Sequence, residues 1–462
     1  MDERVERFLN ELKGKKIAVV GIGVSNAPVC AMLKKLGADV LACDKKNIDE
    51  LREFGVVLKE NNIPLKCGDD YMDDLDVDVI IRAPGIYYND EKLTAYRKNG
   101  VVVTSEMEMF FDLCPCKVYA VTGSDGKTTT TSVIAEMLKK AGKKVFLGGN
   151  IGKALFPLVT EISPDDRAVV ELSSFQLLSM RESPDVAVVT NVSPNHLNVH
   201  GTMEEYVGAK LNIINHQNAF SKTVLNADND ITKTMFDLVR GRLCTFSRLH
   251  EVDDGAYCDA NRDIYLADKA SRRFVMNAKD IKLPGDHNIE NYLTAMSAVS
   301  DEVSPEDMAA VAREFGGVEH RIEFVRELDG VKYYNDSIAS TPTRTIAGLK
   351  AFGKRIIIIA GGYDKHIPYE PLAPYVNKYV KTLILLGATA DKIEAAVKSS
   401  DEYDPEKTKI IRVEDLEEAV KAARENAVSG DVVSMSPASA SFDKYRNFEE
   451  RGRHFKSIVN GL

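Results

Sequence analysis

The apolar residues of this chain fall into short continuous runs rich in valine and isoleucine, and stretches with helical spacing separate them. Runs of this kind between helices predict parallel β-strands that are buried on both faces of a sheet. The pattern therefore predicts an α/β fold. The strands are predicted over residues 16–20, 39–44, 77–82, 101–104, 118–121, 168–172, 186–191, 223–226, 331–336, 355–362, 382–387 and 431–435.

The strand-and-helix pattern begins afresh three times, and each beginning opens a new stretch of alternation. A chain of 462 residues is also too long to fold around a single hydrophobic core, since domains typically span roughly 100–200 residues. We therefore predict three domains, which cover residues 1–116, 117–318 and 319–462.

Composition narrows the class of protein. Hydrophobic residues make up 44% of the chain and charged residues 28%, which is typical of a globular protein. The net charge of −10 argues against a nucleic-acid partner, because nucleic-acid binding usually needs a basic face. We expect no signal peptide and no membrane insertion, because the apolar runs are far shorter than the ~20 residues of a membrane helix. The seven cysteines include one close pair, Cys114 and Cys116, and indicate reduced, mainly structural thiols in a cytoplasm.

The segment most informative about function follows the strand over 118–121. A tight turn at 123–126 leads into a helix that opens with Lys127 and Thr128. Such a turn binds a nucleotide phosphate through backbone N–H groups and the lysine, while the threonine hydroxyl can ligate Mg²⁺. Val121 stands where the usual phosphate-loop pattern has its first glycine, so the match is imperfect.

A second glycine turn follows the first strand. Gly21 and Gly23 precede Asp44 by about 20 residues, as in a Rossmann-type dinucleotide-binding unit. Asn26 occupies the third glycine position and breaks the standard pattern. Nucleotide binding at Gly21, Gly23, Ser25 and Asp44 and a purely structural turn are both compatible with these residues.

Three polar residues accompany the phosphate-loop region. Glu171 ends a strand of the same predicted sheet, where Mg²⁺ would need carboxylate oxygen, although a surface glutamate is the alternative. His196 follows the next strand, and its spacing alone favours a satisfied core histidine. Lys210 lies on a helical stretch, where composition alone favours a solvated lysine.

Further polar groups follow in the second half of the chain. Asp286 is predicted to cap a helix on which His287, Asn288 and Asn291 share one face. This polar face is either exposed to solvent or binds the base or ribose of a nucleotide. The predicted strand ends at 335–337, 361–365 and 434–443 place polar groups where βα-loop sites form. The last of these segments holds four serines, which suit either a carboxylate site or a plain loop.

Together these motifs resemble the Mur ligase family, whose members are ATP-dependent amide-forming enzymes of peptidoglycan precursor synthesis. The motifs keep the family's order along the chain, and the family uses a shortened phosphate loop that accommodates Val121. The segments that carry the resemblance are 122–128, 171–176, 195–196, 287–288, 320–321 and 335–337.

Two segments are similar to the D-glutamate-adding branch of the family, namely 335–337 and 436–452. The resemblance implies a cytoplasmic, monomeric ligase that adds D-glutamate to UDP-N-acetylmuramoyl-L-alanine through an acyl phosphate. It also implies ATP as a substrate and one or two Mg²⁺ ions. The three domains would be a Rossmann-like UDP-binding domain, a central P-loop ATPase-type domain, and a Rossmann-like C-terminal domain that binds the amino acid and closes over ATP.

The resemblance also implies roles for individual residues. The catalytic residues would be Lys127, Glu171, His196 and Lys210, and Thr128, Glu171, His196 and a carbamylated Lys210 would hold the metal. The ATP site would contain Gly123, Ser124, Asp125, Gly126, Lys127, Thr128, Thr129, Asn150, His287, Asn288, Asn291, Arg321 and Asp336. The UDP-substrate residues would be Gly23, Ser25, Asp44, Pro84 and Gly85, and D-glutamate would meet Lys365, Ser441 and Phe448.

The sequence departs from the family pattern at four positions. Asn195 and Asn198 replace acidic residues around His196, Ile338 replaces a frequent lysine, and Ala83 replaces a serine before Pro84. Two other hypotheses stay open. A folylpolyglutamate synthase would share the ATP machinery but take a pterin, and a non-catalytic nucleotide sensor would release no ADP in response to substrate.

Overall fold

A computed structural model describes residues 2–283, 285–365 and 367–462, apart from the side chain of Asn198. The predicted α/β class is confirmed, because helices alternate with strands in three separate sheets. The chain divides into two compact units, Met1–Phe315 and Gly316–Leu462. In the described part of the chain, every helix is too short or too polar to cross a membrane.

The first sheet consists of five parallel strands. They are β1 (Lys16–Val20), β2 (Asp39–Asp44), β3 (Leu65–Cys67), β4 (Val79–Arg82) and β5 (Val102–Ser105). The accompanying helices are α1 (Glu3–Leu12), α2 (Asn26–Leu36), α3 (Glu53–Glu60), α4 (Glu91–Lys98) and α5 (Glu106–Leu113). The strand order β3-β2-β1-β4-β5 reverses beside β1, and such a reversal opens a crevice for ligands at the carboxyl ends of the strands.

The second sheet has nine strands. They are β6 (Lys117–Thr122), β7 (Val145–Gly149), β8 (Arg167–Glu171), β9 (Val186–Val189), β10 (Lys222–Asn226), β11 (Arg242–Ser247), β12 (Gly255–Cys258), β13 (Asp263–Asp268) and β14 (Ser271–Asn277). The helices are α6 (Lys127–Lys140), α7 (Ser174–Leu177), α8 (Leu197–His200), α9 (Met203–Asn215), α10 (Asp230–Lys233), α11 (Asp286–Val299) and α12 (Pro305–Glu314). The order β14-β13-β12-β11-β10-β9-β6-β8-β7 puts β6 between β8 and β9, so the loops after these three strands meet at one edge.

The third sheet, in the second unit, has six strands in the order β15-β16-β20-β17-β18-β19, numbered along the chain. They are β15 (Glu323–Leu328), β16 (Val331–Asn335), β17 (Ile356–Ala360), β18 (Val380–Leu385), β19 (Lys409–Arg412) and β20 (Val432–Met435). The helices are α13 (Pro342–Phe352), α14 (Ala373–Tyr379), α15 (Ala390–Lys398), α16 (Leu416–Glu425) and α17 (Phe448–Asn460). The central strands β16, β20 and β17 are parallel and buried, as their β-branched runs predict.

The hydrophobic pattern missed the parallel strands β3, β7, β11, β12 and β19, and also the antiparallel parts of two sheets. Strands β13 and β14 pair antiparallel and extend the second sheet, and β15 pairs antiparallel with β16. The residues of β14 and β15 are largely exposed or half-buried, so they lack the continuous apolar runs of the central strands. An edge strand needs fewer apolar residues, and its pattern is correspondingly weak.

The first and second sheets share one continuous hydrophobic core, which explains why they form a single compact unit. Buried polar groups also link them. The Glu106 carboxylate accepts the N–H groups of Leu155 and Phe156 at 2.7 and 2.8 Å. The guanidinium of the buried Arg82 donates to the Ser179 hydroxyl at 2.6 Å. These bonds hold the two sheets in one arrangement.

Candidate active site

The turn between β6 and α6 depends on two glycines. Gly123 has a φ of +151° and Gly126, which caps α6, a φ of +77°. A Cβ on Gly123 would lie 1.9 Å from Thr190 Oγ1, and one on Gly126 would lie 2.3 Å from Asn291 Oδ1. Both the backbone conformation and the available space therefore require glycine.

The turn is held in place by the segment after β9. The N–H of Ser124 donates to the carbonyl of Asn191 at 2.9 Å, and the N–H of Asp125 donates to Asn191 Oδ1 at 2.9 Å. The Thr190 hydroxyl donates to the Asp125 carbonyl at 2.6 Å. Because these two N–H groups are engaged, the first turn of α6 carries the main-chain donors available to an anion.

Lys127 folds back over this turn. Its Nζ donates to the carbonyls of Gly123 and Ser124 at 2.9 and 2.8 Å. Thr128, the next residue of α6, is buried. The loop thus presents a cation, a helix N-terminus and a threonine hydroxyl together, which is the donor set that a nucleotide phosphate and its cation require.

Replacing Gly123 with alanine is expected to destabilise the protein by about 2 kcal/mol or more, because the new Cβ meets Thr190 in a strained backbone conformation. The measurements are the melting temperature and the rate of ADP formation. The matched control is Gly208→Ala within α9, where a Cβ has open space, and this change should stabilise by about 0.5–1 kcal/mol. Wild-type stability in the Gly123 variant would contradict the clash.

Glu171 ends β8 beside the phosphate loop, in register with Val121 of β6. The residue is 2% exposed, and its Oε1 accepts a hydrogen bond from the Asn150 side chain at 2.8 Å. Its Oε2 is buried and has no hydrogen-bond partner. A buried carboxylate oxygen without a donor is costly, so this atom fits a bound cation that prefers oxygen ligands.

Lys210 is buried, with 1% exposure, so the solvated lysine favoured by composition is wrong. Its Nζ donates to the Gly123 carbonyl at 2.9 Å and lies 4.6 Å from the Tyr206 ring. Burial, reinforced by the charge of Lys127, lowers the pKa of Lys210 to about 7. The amine is therefore substantially neutral near pH 7, and a neutral amine is the form that reacts with carbon dioxide.

His196 is exposed at the start of α8, so the core-histidine interpretation is wrong. Its ring meets the edge of Phe175 at 5.3 Å, and Phe175 stacks on His200 at 5.1 Å. Partial burial lowers the pKa of His196, and the charges of Lys127 and Lys210 lower it further. A neutral imidazole beside the phosphate loop can act as a metal ligand.

Two residues near the site were not identified from the sequence. His200 is fully buried and its Nε2 lies 2.9 Å from the Ser174 hydroxyl, while the Tyr206 hydroxyl lies 3.1 Å from Ser124 Oγ. His200 follows His196 by four residues, and Tyr206 precedes Lys210 by four. That helical spacing was the available signal, because residues four apart share a helix face.

The sequence prediction that Asp286 caps α11 is wrong. The N-cap is Gly285, with a φ of 99°, and Asp286 is the first helical residue. Its carboxylate instead pairs with Arg262 at 3.2 Å. A capping aspartate and one in the first turn are hard to separate in sequence, because both are favoured at a helix N-terminus.

The polar face of α11 partly meets the phosphate loop. Asn291 donates to Asn288 Oδ1 at 3.0 Å, and both side chains are buried. Asn291 Oδ1 also accepts a 3.3 Å hydrogen bond from Thr130 of α6. His287 is exposed one turn earlier. Asn288 and Asn291 therefore brace α6, and His287 remains accessible to a ligand.

In the first sheet, Asp44 organises the loop after β1. Its two carboxylate oxygens accept the N–H groups of Ile22 and Lys46 at 2.7 and 2.9 Å. Gly23 has open space around it, so packing does not require a glycine there. Ser25 precedes α2 and makes no side-chain capping bond. Asp44 thus orders this loop, and Gly23 and Ser25 leave room for a ligand beside it.

Ser25 lies on the wall of a small pocket at the carboxyl edge of the first sheet. Pro84 and the buried Arg82 line the same pocket. Gly85 follows on the exposed side, where a Cβ would meet nothing. Ala83, which departs from the family pattern, lies where a Cβ on Gly21 would approach within 2.8 Å. The predicted substrate residues of this domain therefore gather at one edge.

In the second unit, Asp336 is buried at the end of β16. Its carboxylate accepts hydrogen bonds from the Ser436 hydroxyl at 2.8 Å and the Ile322 N–H at 3.2 Å. Burial raises the pKa of Asp336 to about 7, against the opposing charges of Arg321 and Arg344. The carboxyl group is thus close to titration at neutral pH.

The predicted amino-acid residues of this unit differ in environment. Ser441 is buried, Phe448 begins α17 half-buried, and Lys365 is exposed with its Nζ 6.0 Å from a neighbouring aromatic ring. Arg451, which lies in the family-like segment 436–452 but was given no role of its own, is buried and donates to the carbonyl and hydroxyl of Ser337 at 2.9 and 3.0 Å. It thereby ties α17 to the segment that follows β16.

One acidic cluster of the second unit has a metal-like composition. Glu319, His320 and Glu323 place their ligand atoms within 4.8 Å of one another. However, the Lys456 ammonium donates to both carboxylates at 2.7 and 2.8 Å. The lysine already pairs with one oxygen of each carboxylate, so this cluster is an ion-pair network.

The phosphate loop, the buried Glu171 and the parallel sheets define a nucleotide-binding α/β protein of the P-loop class. Comparison with known proteins narrows this class. Residues 121–299 match the Mur ligase middle domain, and residues 320–439 match the Mur ligase glutamate ligase domain. The chain belongs to the Mur ligase family, whose members use ATP.

Similar proteins align over the whole chain. A UDP-N-acetylmuramoylalanine–D-glutamate ligase of Acetivibrio thermocellus is 49% identical, and one of Clostridium kluyveri is 50% identical, each over 100% of both chains. Among solved structures, a UDP-N-acetylmuramate–alanine ligase of Thermotoga maritima is 19% identical, with a TM-score of 0.57 over 97% of this chain and 99% of that one. A UDP-N-acetylmuramoyl-L-alanyl-D-glutamate–2,6-diaminopimelate ligase has a TM-score of 0.54 at 18% identity, over 97% and 92%. These structures share the fold.

Proposed function

We propose that this chain is the ATP-dependent ligase that adds D-glutamate to UDP-N-acetylmuramoyl-L-alanine in peptidoglycan precursor synthesis. The observation that carries the proposal is the identity of about 50% over the full length with ligases named for that reaction. The related folylpolyglutamate synthases and a nucleotide sensor explain this full-length similarity less well.

The reaction joins a carboxylate to an amine. The L-alanyl carboxylate attacks the γ-phosphorus of ATP, giving an acyl phosphate and ADP, and the D-glutamate amine then displaces phosphate from the acyl carbon. Lys127 and the N-terminus of α6 stabilise the negative charge on the phosphates, because both lie at the turn after β6. The protein contributes mainly alignment and charge stabilisation, as in other phosphoryl transfers.

We propose a Mg²⁺ site formed by Thr128, Glu171, His196 and a carbamylated Lys210. The unpartnered Oε2 of Glu171 and the lowered pKa of Lys210 support it. A Mg²⁺ held by these residues would supply positive charge that stabilises the negative charge of the phosphate. A carbamate on Lys210 would replace a buried amine with an oxygen ligand of the kind that Mg²⁺ prefers. The side chain of Asn198, a departure beside this site, lies outside the described residues.

Replacing Glu171 with glutamine is expected to raise the Mg²⁺ concentration for half-maximal rate roughly tenfold or more. The amide keeps the acceptor for Asn150 but puts an N–H₂ group in place of the unpartnered oxygen. The measurement is ADP formation against Mg²⁺ concentration. The control is Glu136→Gln on exposed α6 surface, where the Mg²⁺ response should not change. An unchanged response in the Glu171 variant would exclude this carboxylate as a ligand.

The remaining assignments are part of the same proposal. The domains cover 1–116, 117–318 and 319–462, and they bind the UDP substrate, ATP and D-glutamate respectively. The protein acts in the cytoplasm as a monomer. The residues proposed for the UDP moiety are Gly23, Ser25, Asp44, Pro84 and Gly85, and those for D-glutamate are Lys365, Ser441 and Phe448. The residues proposed for ATP are Gly123, Ser124, Asp125, Gly126, Lys127, Thr128, Thr129, Asn150, His287, Asn288, Asn291, Arg321 and Asp336.

The deciding experiment offers the purified protein ATP, Mg²⁺ and UDP-N-acetylmuramoyl-L-alanine with one amino acid at a time, and measures phosphate release. Phosphate release with D-glutamate, absent without the amino acid, is the expected result. Turnover with meso-diaminopimelate or L-lysine but not D-glutamate would contradict the proposed substrate. Release of no phosphate with any amino acid would favour a sensor, and turnover with a pterin substrate would favour a folylpolyglutamate synthase.

A further inference from the structure

Cys114 and Cys116 lie between α5 and β6, with Pro115 between them. Their sulfur atoms are 3.6 Å apart, within hydrogen-bond distance for a thiol and a thiolate. Cys114 is partly exposed, whereas Cys116 is 5% exposed. Cys114 is therefore the more accessible residue of the pair, and the Cys116 sulfur lies beside its sulfur.

The surroundings make the two thiols chemically unequal. A hydrogen bond from Cys116 lowers the pKa of Cys114 and outweighs the opposing effect of burial, while the charge of Arg4 also lowers it and that of Asp185 raises it. The same hydrogen bond and burial raise the pKa of Cys116. A partly exposed cysteine of lowered pKa beside a second, buried thiol is the arrangement of an attacking and a resolving cysteine.

The other buried cysteines have a different environment. Burial raises the pKa of Cys30, Cys43 and Cys244 to about 12, and it also raises the pKa of Cys258. Buried thiols of raised pKa are chemically inert. The expectation of mainly structural thiols therefore fits these four residues, but it does not describe the pair.

We propose that Cys114 and Cys116 form a thiol–disulfide exchange site whose substrate is a low-molecular-weight disulfide. The Cys114 thiolate attacks one sulfur of that disulfide, forms a mixed disulfide and releases a thiolate. Cys116 then loses its proton to that thiolate and attacks the Cys114 sulfur, which releases the second thiolate. The two cysteines are oxidised to one disulfide, and the small disulfide is reduced to two thiols.

The position of the pair gives this exchange a structural consequence. Cys114 ends α5, where its N–H donates to Phe110, and its carbonyl accepts a hydrogen bond from Arg4 of α1. Cys116 immediately precedes β6, the strand that leads to the phosphate loop. A disulfide needs its sulfurs at about 2.05 Å, so oxidation shortens the link between α5 and β6.

The test uses the full-length, reduced protein treated with glutathione disulfide, quenched with N-ethylmaleimide and analysed by peptide mass mapping. Cys114 and Cys116 should lose alkylation together, roughly tenfold faster than the four buried cysteines, and without bound glutathione. Dithiothreitol should restore both thiols. The proposal would be overturned if glutathione disulfide modified the exposed Cys67 while Cys114 stayed a free thiol that N-ethylmaleimide still alkylates.

Two variants separate the roles of the two cysteines. Cys116→Ser should accumulate glutathione on Cys114, because no second thiol is present to release it. Cys114→Ser should leave Cys116 reduced, and Cys67→Ser should behave like the wild type. Ligase activity before treatment shows that each variant is folded. Failure of Cys116→Ser to retain glutathione would overturn the assignment of Cys114 as the attacking thiol.

Discussion

Replacement of Lys127 with alanine is expected to lower kcat for phosphate release by a factor of about a thousand or more. The ammonium group lies over the turn that follows β6, bonded to the carbonyls of Gly123 and Ser124. In the proposed reaction it stabilises negative charge on the transferred phosphate, and alanine supplies no substitute. The measurement is the rate of phosphate release at saturating ATP and UDP-N-acetylmuramoyl-L-alanine.

The matched control is Lys139→Ala on the same helix. Lys139 lies in the last turn of α6, is exposed, and pairs with Glu136 at 2.7 Å. An exposed pair of this kind contributes little to stability, so the rate should stay within about twofold of the wild type. Near-normal turnover by the Lys127 variant, with the fold intact by circular dichroism, would refute the role assigned to the loop.

The second large effect is expected at Lys210. Replacement by alanine should lower kcat by roughly a hundredfold or more, because the proposed carbamate ligand is lost. A pKa of about 7 leaves half of the amine neutral at pH 7, whereas an ordinary lysine has roughly one neutral amine in three thousand. Carbamate formation should therefore rise as the pH rises through about 7, since only the neutral amine reacts with carbon dioxide.

The direct measurement is the ¹³C NMR carbamate signal after equilibration with ¹³C-labelled bicarbonate. The signal should be present in the wild type and absent from Lys210→Arg, whose guanidinium stays charged. Lys222→Arg is the matched control, because Lys222 is also buried but pairs with Asp301 at 3.0 Å, and the carbamate signal should be unchanged. Short carboxylic acids added to Lys210→Ala should restore part of the rate by supplying the missing oxygen ligand. A wild-type protein without the signal, or a fully active alanine variant, would contradict the carbamate.

Much of the fold followed from local pattern alone. The β-branched runs located the central strands to within a few residues, because a strand buried on both faces must be apolar throughout. The prediction missed eight strands, namely β3, β7, β11, β12, β13, β14, β15 and β19. Five of them, β3, β7, β14, β15 and β19, lie at sheet edges and are largely exposed or half-buried, so they carry no continuous apolar run. The N-cap of α11 was predicted one residue too late, at Asp286 instead of Gly285. The reason is that aspartate is favoured both at the N-cap and in the first turn of a helix.

Only part of the candidate site could be predicted from the sequence. The residues of the phosphate loop are contiguous, so their spacing identified them directly. Glu171, His196 and Lys210 lie far apart in sequence. Spacing misjudged the environment of His196, and composition misjudged that of Lys210. His196 is exposed while His200 is buried, a distinction that depends on how α8 packs against Phe175.

The sequence by itself determined the α/β class, the phosphate loop and the family, because these depend on short-range spacing and on motif order. Only the tertiary structure decided the chemical state of the site. The burial of Lys210 against Gly123, which lowers its pKa, and the unpartnered oxygen of Glu171 arise where β6 lies between β8 and β9. Burial and hydrogen bonding set these properties, and both depend on residues distant in the chain.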